Sequence, residues 1–323
     1  MASSTWWTPA RSWCGSCCVG PRCCGCRLPG GCQEETPYDS SRLKALWVLG
    51  HVAVLQGDPV GAVCALQECR DEADRTDDST ALAYAVHRMG CLALVTDDMV
   101  GAQELLDDAL GRYRELGELN SNVLMARIEL AMAVGFRGDL DGAAAICEEV
   151  REICEDHGER WALSYALHVM AFVALQRGRP GRARKLLGES LTIGHAFHDL
   201  LGSVLALELL ALVTAVEGDA AEAAVLQADR IWPSVGLHLF GSAYYGQPRA
   251  RCEELARREL GDGAYESGLR AGGRLDLDAA VARALASWPA DRPGTPGRLS
   301  GPLPGPRGNA EARRLPYIGK GRA

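Results

Sequence analysis

The 323-residue sequence predicts an all-α fold that is built from repeated helical hairpins. Three observations lead to this prediction. Turn-forming residues recur every 40 or 41 residues, small residues recur at fixed positions between them, and the apolar residues are mainly Ala, Leu and Val. Hydrophobic residues make up 47% of the chain but aromatic residues only 6%. Such a composition favours closely packed helices over a β-sandwich.

The turns form two interleaved series, which divide each repeat into two helices. Gly and Asp dominate both series, and these residue types commonly end one helix or cap the next. The first series is Gly57-Asp58, Asp97-Asp98, Gly138-Asp139, Gly178-Arg179 and Gly218-Asp219. The second series is Asp77-Asp78, Gly117-Glu118, Gly158-Glu159 and His198-Asp199. Pro59 and Pro180 are predicted in the first turn of a second helix, where a missing N–H costs little.

Small residues mark the places where the two helices of a hairpin are expected to approach closely. Seven residues before each turn of the first series lie Gly50, Gly90, Ala131, Ala171 and Ala211, and five residues after it lie Ala62, Ala102, Ala143, Ala183 and Ala223. Such helical hairpins are typical of tetratricopeptide (TPR) proteins, whose neighbouring units stack into a right-handed superhelix. The sequence therefore predicts five TPR-like repeats over residues 41–236, each longer than the usual length of about 34 residues.

The pattern changes on both sides of the predicted repeats. Residues 237–287 are predicted to form capping helices, at 248–260, 263–272 and 275–287, that cover the last repeat. Residues 1–40 are rich in Cys, and residues 288–323 are rich in Gly, Pro and Arg, with little apolar periodicity in either segment. Both segments are predicted to be disordered because they offer little apolar surface to bury.

Charge and hydropathy exclude several classes of partner. The net charge is −8, and basic residues concentrate after Ser287, so the repeats are acidic and poorly suited to binding nucleic acid directly. The most apolar run, Val204–Val216, contains Glu208 and is too short to span a bilayer. The N-terminus lacks an apolar stretch of signal-peptide length. The sequence therefore predicts a cytoplasmic protein with neither membrane nor direct nucleic-acid contacts.

A zinc site is the first chemical hypothesis to weigh. Two Cys-x-x-Cys pairs, Cys14/Cys17 and Cys23/Cys26, could supply four thiolates to Zn²⁺. Only five residues separate the pairs, which is much shorter than the usual spacing between zinc-binding knuckles. Non-functional sequence is the preferred interpretation, and we predict neither a metal nor another cofactor.

An enzymatic function finds little support in the sequence. Cys154 and His157 are three residues apart near the end of a predicted helix, a spacing that could pair a nucleophile with a base. A cation near a helix C-terminus is the simpler interpretation. No Ser-His-Asp order, carboxylate pair or HExxH motif stands out, so we predict that the chain is not an enzyme.

A binding groove is the better-motivated hypothesis. The first helix of each TPR unit lines the concave face of the stack, and offsets of three and four residues place side chains on one helical face. The predicted groove residues are Lys44, Trp47, His51, Tyr84, His87, Met125, Ile128, Tyr165, His168 and Glu208. Solenoids bind partners on this surface, and aromatic residues are common at binding hot spots. The alternative is that these residues are core or solvated positions.

Four stretches carry a resemblance to a known family. They are LKALWVLGHVAVLQGD (43–58), CEDHGERWALSYAL (154–167), RCEELARRELGDGAY (251–265) and LDLDAAVARAL (275–285). Together they make residues 42–286 resemble the TPR region of large actinobacterial LuxR-type transcriptional regulators, which are similar in layout to MalT. The resemblance implies an upstream ATPase and a downstream helix-turn-helix domain. No GxxxxGK[ST] loop occurs in this sequence, and no helix-turn-helix pattern follows Ala286.

Two functions are compatible with the sequence. The first is a protein-interaction or inducer-sensing scaffold that survives from a truncated or frame-disrupted LuxR-type regulator, with a protein or small-molecule inducer in its groove. The alternative is a free-standing TPR adaptor that joins proteins and has no role in transcription.

Overall fold

The computed structural model describes residues 40–227 and 238–286. Every regular element in these two ranges is helical, which confirms the all-α prediction. The α-helices are α1 (Ser40–Leu55), α2 (Pro59–Thr76), α3 (Ser79–Val95), α4 (Met99–Glu115), α5 (Ser121–Phe136), α6 (Leu140–His157), α7 (Trp161–Gln176), α8 (Pro180–Ala196), α9 (Leu200–Val216), α10 (Ala220–Leu226), α11 (Ala243–Leu260), α12 (Asp262–Gly272) and α13 (Leu277–Ala286). A 3₁₀ turn at His238–Gly241 precedes α11.

Helices α1 to α10 form five consecutive hairpins. Each odd-numbered helix packs against the helix that follows it, and each even-numbered helix from α2 to α8 also packs against the next odd-numbered one. The odd-numbered helices contact one another in sequence, from α1 to α3 and onward to α9. A continuous layer of first helices results. The handedness of a TPR-type superhelix and the domain boundaries stay predictions.

The predicted turns and caps explain where the helices end. Every position that opens a predicted turn is left-handed, and three of these positions are not Gly: Asp77 (φ 55°), Asp97 (φ 68°) and His198 (φ 53°). The carboxylates of Asp58, Asp98, Asp139 and Asp219 each accept a hydrogen bond from the backbone N–H three residues later. Such an N-cap satisfies one of the unpaired donors of a helix start.

Close approach within the hairpins explains the recurring small residues. The five alanines that follow the first turns are fully buried, as are Ala131, Ala171 and Ala211. At Gly50 an added Cβ would lie 2.5 Å from Cγ of Leu66, and at Gly90 it would lie 2.8 Å from Cγ of Leu106. A side chain at either glycine would therefore displace a buried leucine of the second helix.

The last three α-helices lie beyond the hairpins. Helix α11 packs on α9 and α10, α12 packs on α10, and α13 packs on α8 and α9. The start predicted at Pro248 is wrong for α11, since the helix begins at Ala243 and places Pro248 inside. Ser242 accounts for this start because its side chain caps the helix by accepting from the Tyr245 N–H.

The Cys-rich segment and the Gly/Pro/Arg-rich tail lie outside the described residues, and so do Cys14, Cys17, Cys23 and Cys26 of the weighed zinc site. Within the described ranges, no three His, Cys, Asp or Glu residues are grouped so that they could hold a metal ion. Among the helices described, none is both long and apolar enough to cross a membrane.

Candidate functional site on the first helices

The predicted groove residues belong to one layer, the first helices α1, α3, α5, α7 and α9. The face of this layer divides into two halves of different chemistry. We call the first the polar cluster, which consists of Trp47, His51, Tyr84, His87, Arg88 and Glu129. The second, the apolar half, is lined by Met132, Phe136, His168, Phe172, Leu205, Glu208 and Leu209.

Aromatic stacking joins α1 to α3 in the polar cluster. The rings of Trp47 and Tyr84 stack with their centroids 4.7 Å apart. The guanidinium carbon of Arg88 lies 5.9 Å from the centroid of the Trp47 ring, within the range of a cation–π contact. The Tyr84 hydroxyl donates to the Glu118 carboxylate at 2.9 Å and accepts from the Asn120 amide at 3.1 Å. These bonds fix the phenol ring against the tryptophan.

His87 is a fully buried bridge between two helices. Its Nε2 lies 3.1 Å from Oε2 of Glu129, and its Nδ1 lies 3.1 Å from the Tyr113 hydroxyl. A carboxylate only accepts hydrogen bonds, so Nε2 carries a proton and donates to Glu129. Burial lowers the pKa of His87 and so favours the neutral ring, in which Nδ1 accepts from the Tyr113 hydroxyl.

Arg88 and His51 present unpartnered polar atoms beside this bridge. Arg88 is only 5% exposed, and its guanidinium donates to the Asn122 side chain. The Arg88 Nε and the His51 Nδ1 are both buried, and neither has a hydrogen-bond partner among the described residues. Burial, with a further contribution from the Arg88 charge, lowers the pKa of His51 to about 4. The cluster thus combines a buried cation, the Glu129 carboxylate, a neutral imidazole and two stacked rings.

The chain itself covers the apolar half. We call residues 239–249 the covering segment; it runs from the 3₁₀ turn into the first turns of α11. Tyr245 packs against an apolar group on α1, α2 and α3 that includes Val54, Cys91 and Leu92. Tyr244 and Tyr245 each place their ring centroid 5.2 Å from that of Phe136 on α5.

Two polar contacts hold the covering segment at its ends. The Asp97 carboxylate at the end of α3 accepts from the Ser242 hydroxyl and, at 2.8 Å, from the backbone N–H of Ala243. The Arg249 guanidinium donates at 2.6 Å to Oε1 of Glu208 on α9, and at 2.7 Å to the backbone carbonyl of Gln227. The remaining space between the segment and the first helices is a cavity of about 20 Å³, which is little more than one water molecule needs.

The structure separates the predicted groove residues into four sets. Trp47, His51, Tyr84 and His87 come together in the polar cluster, whereas Tyr165, His168 and Glu208 lie in or beside the covered apolar half. Lys44 is exposed, one turn before Trp47 on the same helix. Met125 and Ile128 contact the main hydrophobic core, and Ile128 is 3% exposed.

The prediction missed Arg88 and Glu129, the two charged members of the polar cluster. They occupy the same position in consecutive repeats, directly after the predicted groove residues His87 and Ile128. Their equivalents in the other units are apolar: Val48, Val169 and Leu209. A charge that appears in only two of five equivalent positions was the signal that could have identified them.

Cys154 and His157, which the sequence offered as a possible nucleophile and base, do not have the geometry of such a pair. His157 Nδ1 lies 2.9 Å from the carbonyl oxygen of Ile153, one turn earlier in the same helix. Cys154 is buried, with Sγ 3.7 Å from Oε2 of Glu159. Burial raises the pKa of the Cys154 thiol to about 12, which suppresses the reactive thiolate.

Comparison with known proteins returned little that bears on function. No protein-family model and no curated protein matches the chain. Among solved structures, the crystal structure of BtubC (BKLC) from P. vanneervenii is similar over 80% of this chain and 97% of that chain, with 16% sequence identity and a TM-score of 0.45. This similarity is too low to support an argument about function.

Proposed function

We propose that this helical-repeat protein is a binding scaffold and that the polar cluster is its ligand site. The observation that carries the proposal is the buried Arg88 beside His51, each with a polar atom that lacks a hydrogen-bond partner in the described residues. An unsatisfied buried polar atom costs about 1–3 kcal/mol. A ligand that supplies the missing partners would recover that energy.

The repeat itself shows that these polar side chains are not needed for packing. The residues equivalent to His51 in the other four units are Cys91, Met132, Phe172 and Leu212. All four are buried and none is charged. Hairpins of this protein therefore pack well with apolar side chains at the position of His51, and in two units, with the buried Val169 and Leu209, at that of Arg88. Polar groups that the fold does not require are candidates for binding.

The chemistry of the cluster favours a ligand with an anionic group next to a flat or apolar one. A guanidinium recognises a carboxylate through paired N–H donors. The Trp47–Tyr84 stack offers a flat apolar surface within reach of the same cation. A small-molecule inducer that carries a carboxylate and an acidic peptide both present these features.

Replacing Arg88 by Met tests this proposal. The substitution removes the buried cation and keeps much of its volume, so we expect thermal stability to be retained or raised while ligand capture is lost. The assay is native purification of the tagged protein from its source cells, followed by mass spectrometry of what co-purifies. Phe197→Ala is the matched control, because Phe197 is 52% exposed and lies outside the cluster. Equal recovery of one specific ligand by the wild type and by Arg88→Met would refute the proposed site.

The finer proposal is that the scaffold senses an inducer or a protein partner for a LuxR-type regulator. It is supported only by the four sequence stretches that resemble the TPR region of that family. The alternative, an adaptor with no role in transcription, requires only a binding scaffold. Sequencing the gene with its flanking DNA tests the two. Coding sequence for an ATPase or a LuxR-type helix-turn-helix beside the repeats favours the regulator, and its absence from every frame favours the adaptor.

A further inference from the structure

We propose that the apolar half of the first-helix layer is a helix-binding groove that the covering segment, residues 239–249, occupies in cis. The partner that fits this groove is the N-terminal part of a helix with two adjacent aromatic residues and an arginine four residues after the second. This inference rests on the proposed binding function and identifies a second class of ligand for the same layer.

The covering segment shows which chemistry the groove accepts. Tyr244 and Tyr245 pack against Phe136, and Leu239 joins an apolar group with Val204 and Leu205 of α9. At the two ends of the groove, carboxylates meet a helix start and a cation. Asp97 accepts from the capped start of α11, and Glu208 pairs with an arginine. An apolar floor with an acceptor at each end matches an amphipathic helix of defined direction.

Backbone strain marks the covering segment as displaceable. Leu239 and Phe240 adopt left-handed conformations, with φ of 46° and 59°, which are unfavourable for residues with a Cβ. The fit is also incomplete, since a small cavity remains and the Nδ1 of His168 is buried without a partner among the described residues. A partner helix that fills the cavity and needs no left-handed residues would bind the groove more favourably and displace the segment.

The rest of α11 has its own support, so release of the segment does not require the helix to leave. Ala256 packs in a separate apolar group with Ala220, Ala224 and Tyr265. Arg257 forms ion pairs with Glu253 and Glu266, well beyond the segment. The first turns of α11 can therefore open while its second half stays on α10 and α12.

The test uses a fluorescent peptide with the sequence of residues 239–251, added to the full chain and followed by polarisation. Tyr245→Ala weakens the segment that competes in cis, and Ser242→Ala removes both the cap of α11 and one bond to Asp97. We expect each variant to bind the peptide about tenfold more tightly than the wild type, because the apparent affinity rises with the fraction of open groove. A peptide with both tyrosines replaced by alanine is expected not to bind.

Asp139→Ala is the matched control, since it also removes one N-cap hydrogen bond, on α6, away from the groove. It should leave peptide binding at the wild-type level. If Tyr245→Ala fails to fold, Ser242→Ala carries the test alone. Peptide binding by Tyr245→Ala and Ser242→Ala that equals that of the wild type, or no binding by any variant, overturns the groove. The probe reads the apolar half only, so this failure leaves the Arg88→Met test of the proposed function intact.

Discussion

Replacing Gly90 by Ala tests the close packing on which the hairpins depend. An alanine Cβ there would lie 2.8 Å from Cγ and 3.3 Å from the backbone nitrogen of Leu106, which is fully buried. Ala in place of Gly gains about 1 kcal/mol of helix propensity, whereas overpacking a core costs about 1–3 kcal/mol. We therefore expect a net loss of about 1 kcal/mol in the free energy of unfolding.

Gly111→Ala supplies the matched control for this measurement. Gly111 also lies inside a helix, α4, but an added Cβ there meets nothing within 4 Å. It should raise the free energy of unfolding by about 0.5–1 kcal/mol through helix propensity alone. Urea titrations followed by circular dichroism give both values, and a difference of about 2 kcal/mol is expected. If the two variants are equally stabilised, Gly90 is not a site of close approach and the packing argument fails.

Three further predictions concern acid sensitivity, thiol reactivity and turn geometry. Burial lowers the pKa of His168 from 6.5 to about 4. As the pH falls from 6.5 to 4, this histidine is therefore protonated in the unfolded chain but not in the folded one, and the free energy of unfolding decreases. His168→Phe should reduce that fall by about 2 kcal/mol in urea titrations at the two pH values, and an unchanged pH dependence would contradict the assignment. Burial raises the pKa of the Cys147 thiol to about 12. Iodoacetamide at pH 8 should therefore label the exposed Cys64 and spare Cys147, as measured by peptide mass spectrometry. Comparable labelling of both cysteines would show that Cys147 is accessible. Asp77 is left-handed at a helix end, where Gly is less strained. Asp77→Gly should therefore raise the free energy of unfolding by about 0.5–1 kcal/mol, and with it the melting temperature. A lower melting temperature would mean that the Asp77 side chain stabilises the turn.

Local signals explain why the helices could be predicted from the sequence. Each turn is determined by residues close together in the chain, such as Gly57 with the capping Asp58, and the 40-residue period reinforces each assignment. Pro59 and Pro180 begin their helices as expected. The start of α11 was missed because Pro248 normally marks a helix beginning, whereas here Ser242 supplies a cap several residues earlier.

The site was harder to predict because its key contacts join distant parts of the chain. Ser242 and Asp97 are 145 residues apart, and no periodic pattern relates them. Counting by three and four from the small residues placed the candidate residues together on the first helices. It could not show that Tyr113 reaches across from a second helix to His87, or that residues 239–249 cover half of the predicted groove.

The most direct test of the central claim is site-specific photo-cross-linking. Lys44 is exposed and lies on α1, one turn before Trp47, so a photoreactive residue in its place would report on the first helices. The same residue at Val60, which is 68% exposed at the start of α2, reports on the other helix layer. We predict that the ligand recovered from source cells cross-links at position 44 and not at position 60. Cross-linking at position 60 alone, or equally at both, would contradict a ligand site on the first helices.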